Sequence, residues 1–266
     1  MTKSLVQQQF GAHAAAYATS AVHAKGASLG RLVELVRPEK HWRALDIATG
    51  AGHTAAAFAP HIAHIIASDI TEEMLAEARK LAASKGLANM ETATADAQAL
   101  PWPDAQFDLV TSRIAPHHFP DVPAFVREVH RVLRPGGTFA LVDNIAPDAE
   151  STPGFSAIEL ERAASAYNAF EKRRDPSHGR CLGMSEWTEV ISATGLEVTH
   201  KERLPKDMEF DPWAIRLGAD APTVEALRAT LSGAEGAIAA FLKPRMDGSA
   251  LWFTLDEAIL IARKPA

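Results

Sequence analysis

The first residues able to do chemistry in this chain are Asp46-Ile-Ala48-Thr49-Gly50-Ala51-Gly52. A carboxylate sits in the apolar run Ala44-Leu45-Asp46-Ile47, two glycines follow, and a row of small alanines comes next. That order predicts a buried strand, a tight turn and the start of a helix. Glycine at 50 and 52 lets the backbone turn sharply and approach a ligand where a Cβ would intrude. The helix start offers unpaired N–H groups to the same ligand. Such a stretch marks a nucleotide-type site, and Asp69, at the end of the next predicted strand, can accept hydrogen bonds from both hydroxyls of a ribose. A second concentration is Arg113-Ile-Ala-Pro-His117-His118, directly after the apolar strand Phe107–Ser112. Imidazoles titrate near neutrality and suit proton transfer. His118 is the stronger candidate because Pro116 constrains the preceding turn; His117 comes next and His178 third. The eleven histidines show no zinc-like spacing with Cys181, and Asp143-Asn144 lacks companion hard oxygen ligands, so no metal is expected. Cys181 has no activating neighbour in sequence and reads as a small buried residue.

Two nucleotide readings compete. Gly50-x-Gly52-x-x-Ala55 satisfies a relaxed dinucleotide fingerprint, with Asp69 at a ribose-binding spacing, which describes a nicotinamide-dependent oxidoreductase. Asp46 separates the alternatives. A pyrophosphate beside it would bring like charges together, whereas S-adenosylmethionine has no phosphate and carries a cationic ammonium and sulfonium. At these residues the sequence resembles the class I S-adenosylmethionine-dependent methyltransferases, whose first motif is an acidic strand end followed by a G-x-G-x-G turn. Ala48 stands in place of the first glycine and makes the turn bulkier. The resemblance continues in order through Asp69, Asp96-Ala97, the P-x-x-D-x-x-F-D-x-V pattern from Pro101 to Val110, and Leu133-Arg-Pro-Gly-Gly137. It covers residues 40–143 and is strongest toward ubiquinone/menaquinone-biosynthesis C-methyltransferases and related small-molecule enzymes. The resemblance implies S-adenosylmethionine as cofactor, with Asp46, Gly50 and Gly52 around its methionine end. It also implies Asp69 at the ribose and Asp96 with Ala97 at the adenine. Ala48, Thr49, Ile70, Met74 and Arg113 complete the expected cofactor site. Phe10-Gly-x-x-Ala-x-x-x-Tyr17 resembles a cap that folds over the cofactor, which makes Tyr17 a contact. The alternative to turnover is a non-catalytic protein that keeps the cofactor site.

Around these residues, apolar spacing predicts one or two helices over 4–36, stopped by Pro38. Thr71 starts a helix that Gly86 ends, a strand reaches Asp96, and Asp121 caps a helix with Phe125, Val126, Val129, Val132 and Leu133 inward. Arg134–Gly137 ends that helix before a strand over Thr138–Asp143. Phe155, Ile158, Tyr167 and Phe170 are expected along one side of a helical insert, and Trp187 and Val190 inward on the next helix. A helix over 221–245 and a last strand over Leu251–Ala262 follow. The expected fold is α/β: a Rossmann-like, seven-stranded, mostly parallel sheet with an antiparallel C-terminal hairpin, helices on both faces and a helical cap. One domain over 1–266 would hold the cap at 1–37, the cofactor-binding half at 40–143 and an acceptor-cap insert at 147–185. With 266 residues, 47% hydrophobic and 23% charged, the chain can bury a sizeable core. Its net charge of −6 and lack of a basic block speak against nucleic acid as a partner, as does the absence of an Asn-Pro-Pro-Tyr-like tetrad. No signal peptide and no membrane span are read in the sequence, and a single cysteine fits a reducing compartment. A cytoplasmic enzyme acting on a small-molecule acceptor is expected, with a homodimer left open. Trp187, Trp213 and Trp252 point to an apolar or aromatic acceptor.

Overall fold

The computed structural model describes residues 5–19 and 26–266, leaving aside the side chains of residues 12, 13 and 15–19. Tyr17, expected to contact the cofactor, lies outside the described side chains. The chain forms two compact units: Met1–Asp143 with Val190–Glu202 and Ile259–Ala266, and Asn144–Glu189 with Arg203–Ala258.

The first unit is built on β1 (Arg43–Ile47), β2 (His64–Asp69), β3 (Met90–Thr94), β4 (Phe107–Arg113) and β5 (Leu133–Asn144). These strands pair in parallel, with Asp46 opposite Ala67 on one side and opposite Thr111 on the other. Leu45, Ile65, Leu109, Val110 and Phe139 are fully buried, which is why these strands read as near-continuous apolar runs rather than alternating ones. Two long strands, β6 (Glu197–Glu209) and β8 (Ala250–Arg263), complete the order β3-β2-β1-β4-β5-β8-β6 and run on into the second unit. A short β7 (Arg245–Asp247) pairs antiparallel with β8 and makes an eighth strand where seven were expected. The order reverses between β1 and β4. Parallel sheets bind ligands at such a switch point, outside the carboxyl ends of the strands.

Helices α1 (Leu5–Thr19), α2 (Ala27–Val36), α3 (His53–Phe58), α4 (Glu72–Lys85) and α5 (Val122–Val132) belong to the same unit. Asp121 caps α5 by accepting from the Ala124 N–H at 2.8 Å, and Phe125, Val126, Val129 and Val132 form its buried face. Gly86 ends α4 in the left-handed conformation at φ 65°. Three local expectations change. Thr71 stands at the N-cap of α4 but its side chain makes no capping bond; the Asp69 carboxylate takes the Thr71 N–H at 2.8 Å instead. β3 stops at Thr94, so Asp96 sits in a turn bridged to Ala99 rather than at a strand end. Arg134–Gly137 lies within β5, where a Cβ on Gly137 would come 2.9 Å from the Arg134 carbonyl oxygen.

In the second unit, α6 (Ala157–Arg174) starts with a capping box between Ser156 and Glu159. The residues 147–185 pack there with the segment Arg203–Ala258, which carries α8 (Phe210–Ile215), α9 (Ala221–Ser232) and α10 (Gly236–Leu242). The helix α7 (Met184–Ser192) buries Trp187 completely, while Val190 is half-buried. Trp213 stacks on Phe170 at 5.0 Å and meets Phe253 edge-on at 4.9 Å. Ile158 is 62% exposed: it sits two residues from Leu160, about 200° around the helix from the buried row Leu160, Ala163, Tyr167 and Phe170. The helix expected over 221–245 is broken at Gly233 and Gly236 and ends at Lys243, φ 48°. Among the described residues, no helix is long and apolar enough to cross a membrane.

Candidate active site

A cavity of about 320 Å³ opens in the first unit beyond the carboxyl ends of β1, β2 and β4. Its floor is the turn after β1. Ala48 and Gly50 take positive φ, 52° and 54°, and Gly52 follows at 84°. The turn is tied to β2 by the Thr49 N–H donating to the Ser68 carbonyl at 2.8 Å, and by the Gly50 N–H donating to Asp69 Oδ2 at 2.9 Å. The two glycines serve different purposes. A Cβ on Gly50 would meet open space, while one on Gly52 would lie 2.9 Å from Ala78 Cβ and 2.8 Å from Met90 Cε. Gly52 therefore allows α3 to pack against α4 and β3 and does not line the cavity; Ala48, Thr49 and Gly50 do. Gly52, expected at the cofactor, stands at this packing contact behind the lining.

Asp46 is likewise placed beneath the cavity, only 1% exposed. Its Oδ2 accepts from Thr49 Oγ1 at 2.5 Å and its Oδ1 from Thr111 Oγ1 at 2.6 Å. Burial pushes its carboxyl up to about 6, against the opposing effects of Thr111, Thr49 and the charge of Arg113. Its negative charge is felt in the turn through Thr49 rather than by direct contact. Asp46, expected at the methionine end of the cofactor, thus stands behind Thr49.

Asp69 does line the cavity, with Ile70 and Met74 beside it. Burial raises its carboxyl above the ordinary range, partly opposed by the N–H groups of Thr71 and Gly50. Its Oδ2 takes the Gly50 N–H and its Oδ1 the Thr71 N–H. Asp96 is exposed and accepts from the Gln98 N–H at 2.9 Å, and Ala97 is buried next to it. Both line the wall, as does Gln98.

The exit of β4 supplies the rest. Arg113 reaches back to donate from Nε to Thr54 Oγ1 at 3.0 Å, joining β4 to α3 at the cavity edge. Ile114 holds φ 55°, an outlier for a β-branched residue, with its N–H donating to the Val142 carbonyl at 2.8 Å. A short helical turn, Pro116–His118, then carries the two histidines. His118 lines the cavity, and the Phe10 ring of α1 meets it edge-on at 4.9 Å. His117 is buried and does not line the cavity; its Nδ1 lies 2.6 Å from Asp143 Oδ1. His178 belongs to the second unit, where its Nε2 pairs with Asn168 Oδ1 at 2.9 Å. Among the described residues, no group of three or more His, Cys, Asp or Glu could hold a metal.

Sequence reasoning missed Thr54 and Pro120 as wall residues, while Ile114 and Phe119 belong to the segment after β4 that it placed at the site. Thr54 was findable, being the first hydroxyl after the glycine turn. The backbone conformation of Ile114 carried no signal, because nothing in a sequence marks a β-branched residue for the left-handed region.

Comparison with known proteins matches a family described as a methyltransferase domain to residues 45–141. YcgJ of Bacillus subtilis strain 168, an uncharacterized methyltransferase, is 37% identical over 212 residues, 80% of this chain and 79% of that protein. Its crystal structure gives a TM-score of 0.79 at 34% identity, covering 90% of this chain and 98% of that one. A Bacillus halodurans C-125 structure assigned as a methyltransferase gives 0.81 at 32% identity, over 91% of this chain and 100% of that one. The demethylmenaquinone methyltransferase of Listeria monocytogenes is 30% identical over 156 residues, 58% of this chain and 61% of that protein. The span matched by the domain family holds the turn, Asp69, Asp96 and both histidines, but not α1.

Proposed function

Because this chain belongs to the S-adenosylmethionine-dependent methyltransferases, we propose that it methylates a small hydroxylated aromatic acceptor, with His118 taking the acceptor's proton. The observation that carries this reading is the make-up of the cavity lining. Asp69 and Asp96 line it from the segments after β2 and β3, while α1 and the segment after β4 add Phe10, Ile114, His118 and Phe119 beside Arg113.

The residues fit the cofactor. Gly50 leaves open the space that a Cβ would fill, and the Asp69 carboxylate lines the cavity where it can accept from ribose hydroxyls. Asp96 offers a carboxylate to an exocyclic amine, and Ala97 a small apolar surface. When bound, S-adenosylmethionine supplies a methyl carbon whose bond to sulfur breaks, the electron pair staying on sulfur, as the bond to the acceptor oxygen forms. The protein holds donor and acceptor in line and excludes water. His118 accepts the hydroxyl proton as the new O–C bond forms and later returns it to solvent. Support for an aromatic acceptor comes also from the Listeria relatives, which are named for methylating demethylmenaquinone. The net charge of −6 without a basic block supports a small molecule over a nucleic acid.

The test is release of S-adenosylhomocysteine from S-adenosylmethionine with a panel of phenols and dihydroxynaphthalenes, set against a panel of primary and secondary amines. Turnover of the hydroxylated rings is expected, falling about 100-fold or more in His118→Ala, the range of a lost general base. Turnover of amines alone, or of phenols undiminished in His118→Ala, would overturn the assignment.

A further inference from the structure

Asp143 is a buried acid for which methyl transfer as described above has no use. It ends the parallel part of β5, whose Val142 is in register with Arg113 of β4, so it stands beside the segment that leaves β4. Its side chain is fully buried. A carboxylate has only lone pairs to offer, so in the 2.6 Å bond to His117 the Nδ1 carries the proton.

His117 in turn touches His118. The two rings lie 4.2 Å apart at 45°, and Phe10 closes on His118 from α1 at 4.9 Å and 82°. The backbone between them is fixed as well. The His118 N–H donates to the Ala115 carbonyl and the Phe119 N–H to the Pro116 carbonyl, each at 2.9 Å. A histidine on a short loop would otherwise sample several rotamers, and each unproductive one lowers the fraction ready to react.

We infer that Asp143 is a positioning residue that acts through His117 to hold the His118 imidazole at the cavity wall for an acceptor hydroxyl. The inference rests on the methyl-transfer reading with His118 as base. In the step itself the proton passes from the acceptor oxygen to a His118 nitrogen, which becomes an imidazolium and then loses the proton to water. Asp143 takes no part in the transfer. Three separate elements thus converge on one imidazole: β5 through His117, the Pro116 turn through the backbone, and α1 through Phe10.

The experiment is NMR of the full chain with isotope-labelled histidine rings, saturated with S-adenosylhomocysteine, for wild type, Asp143→Asn and His117→Gln. The wild type should show a slowly exchanging His117 Nδ1 proton and one sharp set of His118 ring signals. Asp143→Asn should lose the first and broaden or double the second, while S-adenosylhomocysteine affinity stays within twofold. With a phenolic acceptor, kcat should fall tenfold or more at unchanged KM for S-adenosylmethionine. His117→Gln, which leaves Asp143 an amide partner, carries the same test if Asp143→Asn does not fold. His118 signals unchanged in position and width in the variants would overturn the positioning role. Failure of the wild type to bind S-adenosylhomocysteine would instead overturn the methyl-transfer reading beneath it.

Discussion

At the scale of single residues, the turn after β1 separates two requirements that a glycine pattern runs together. Gly52→Ala must place a methyl group against Ala78 and Met90 and also holds φ 84°. Left-handed strain of about 1–2 kcal/mol adds to overpacking of about 1–3 kcal/mol, so urea unfolding should show a loss of at least about 2 kcal/mol. Gly50→Ala meets only the strain, and its damage should appear as weaker cofactor binding; equal stability losses in the two variants would refute this division. Ala48, at φ 52°, gives the reverse case. Ala48→Gly should stabilise the protein by up to about 1 kcal/mol, because glycine occupies this region freely. Asp46 gives a pH signature. Its carboxyl is raised from 3.8 to about 6 in the folded state, so the folded protein takes up this proton before the unfolded chain does. The stability it contributes is complete below about 4 and is lost as pH rises through about 6, a span of roughly 3 kcal/mol. Unfolding free energies of wild type and Asp46→Asn, compared from pH 7 to pH 4, should diverge in favour of the wild type at acid pH by that order. Parallel curves would show that Asp46 is not held in the buried state described.

At the scale of elements, legibility followed the length of the physical signal. β1, β2 and β4 were readable because burial on both faces makes them continuous apolar runs, and α5 because Asp121 and its apolar face agree. The end of β3 was not readable: Met90–Thr94 is short and half-exposed, and the polar residues that follow give no stop signal. Ile158 misled because an apolar residue in a first helical turn looks like the start of a buried face, whereas the phase is set by Leu160, Ala163 and Tyr167. At the site, the identity of the acids was legible but their depth was not. Alternation within a short strand cannot tell Asp46, hidden under Thr49, from Asp69, which faces the cavity. Element α1 offers the test at this scale. It supplies Val6 and Phe10 to the cavity, and Gln7 Nε2 donates to the Ile70 carbonyl at 3.0 Å. It forms no part of the sheet, so removing residues 1–19 should leave far-ultraviolet circular dichroism largely intact. Affinity for S-adenosylhomocysteine should fall tenfold or more, about 1.4 kcal/mol. Unchanged affinity would remove α1 from the binding site.

At the scale of the whole molecule, an ordered series of strand ends identified the family, where one glycine turn alone would have left two cofactors in play. The grouping of 147–185 with Arg203–Ala258 was hidden, because the packing that joins them connects helices far apart in sequence, such as Tyr167 against Phe241 at 5.4 Å. The likeness to YcgJ extends over most of both chains, so the arrangement is shared beyond the matched domain. What the relatives leave to chemistry is the acceptor, and everything said of it depends on the cofactor lying across Asp69. The measurement that bears most directly on this is calorimetric titration with S-adenosylhomocysteine of the wild type and Asp69→Ala, with NAD as a control. Saturable binding of S-adenosylhomocysteine, weakened at least tenfold in the variant and absent for NAD, is the predicted result. Binding of NAD in its place, or affinity for S-adenosylhomocysteine unchanged by loss of the Asp69 carboxylate, would contradict the account.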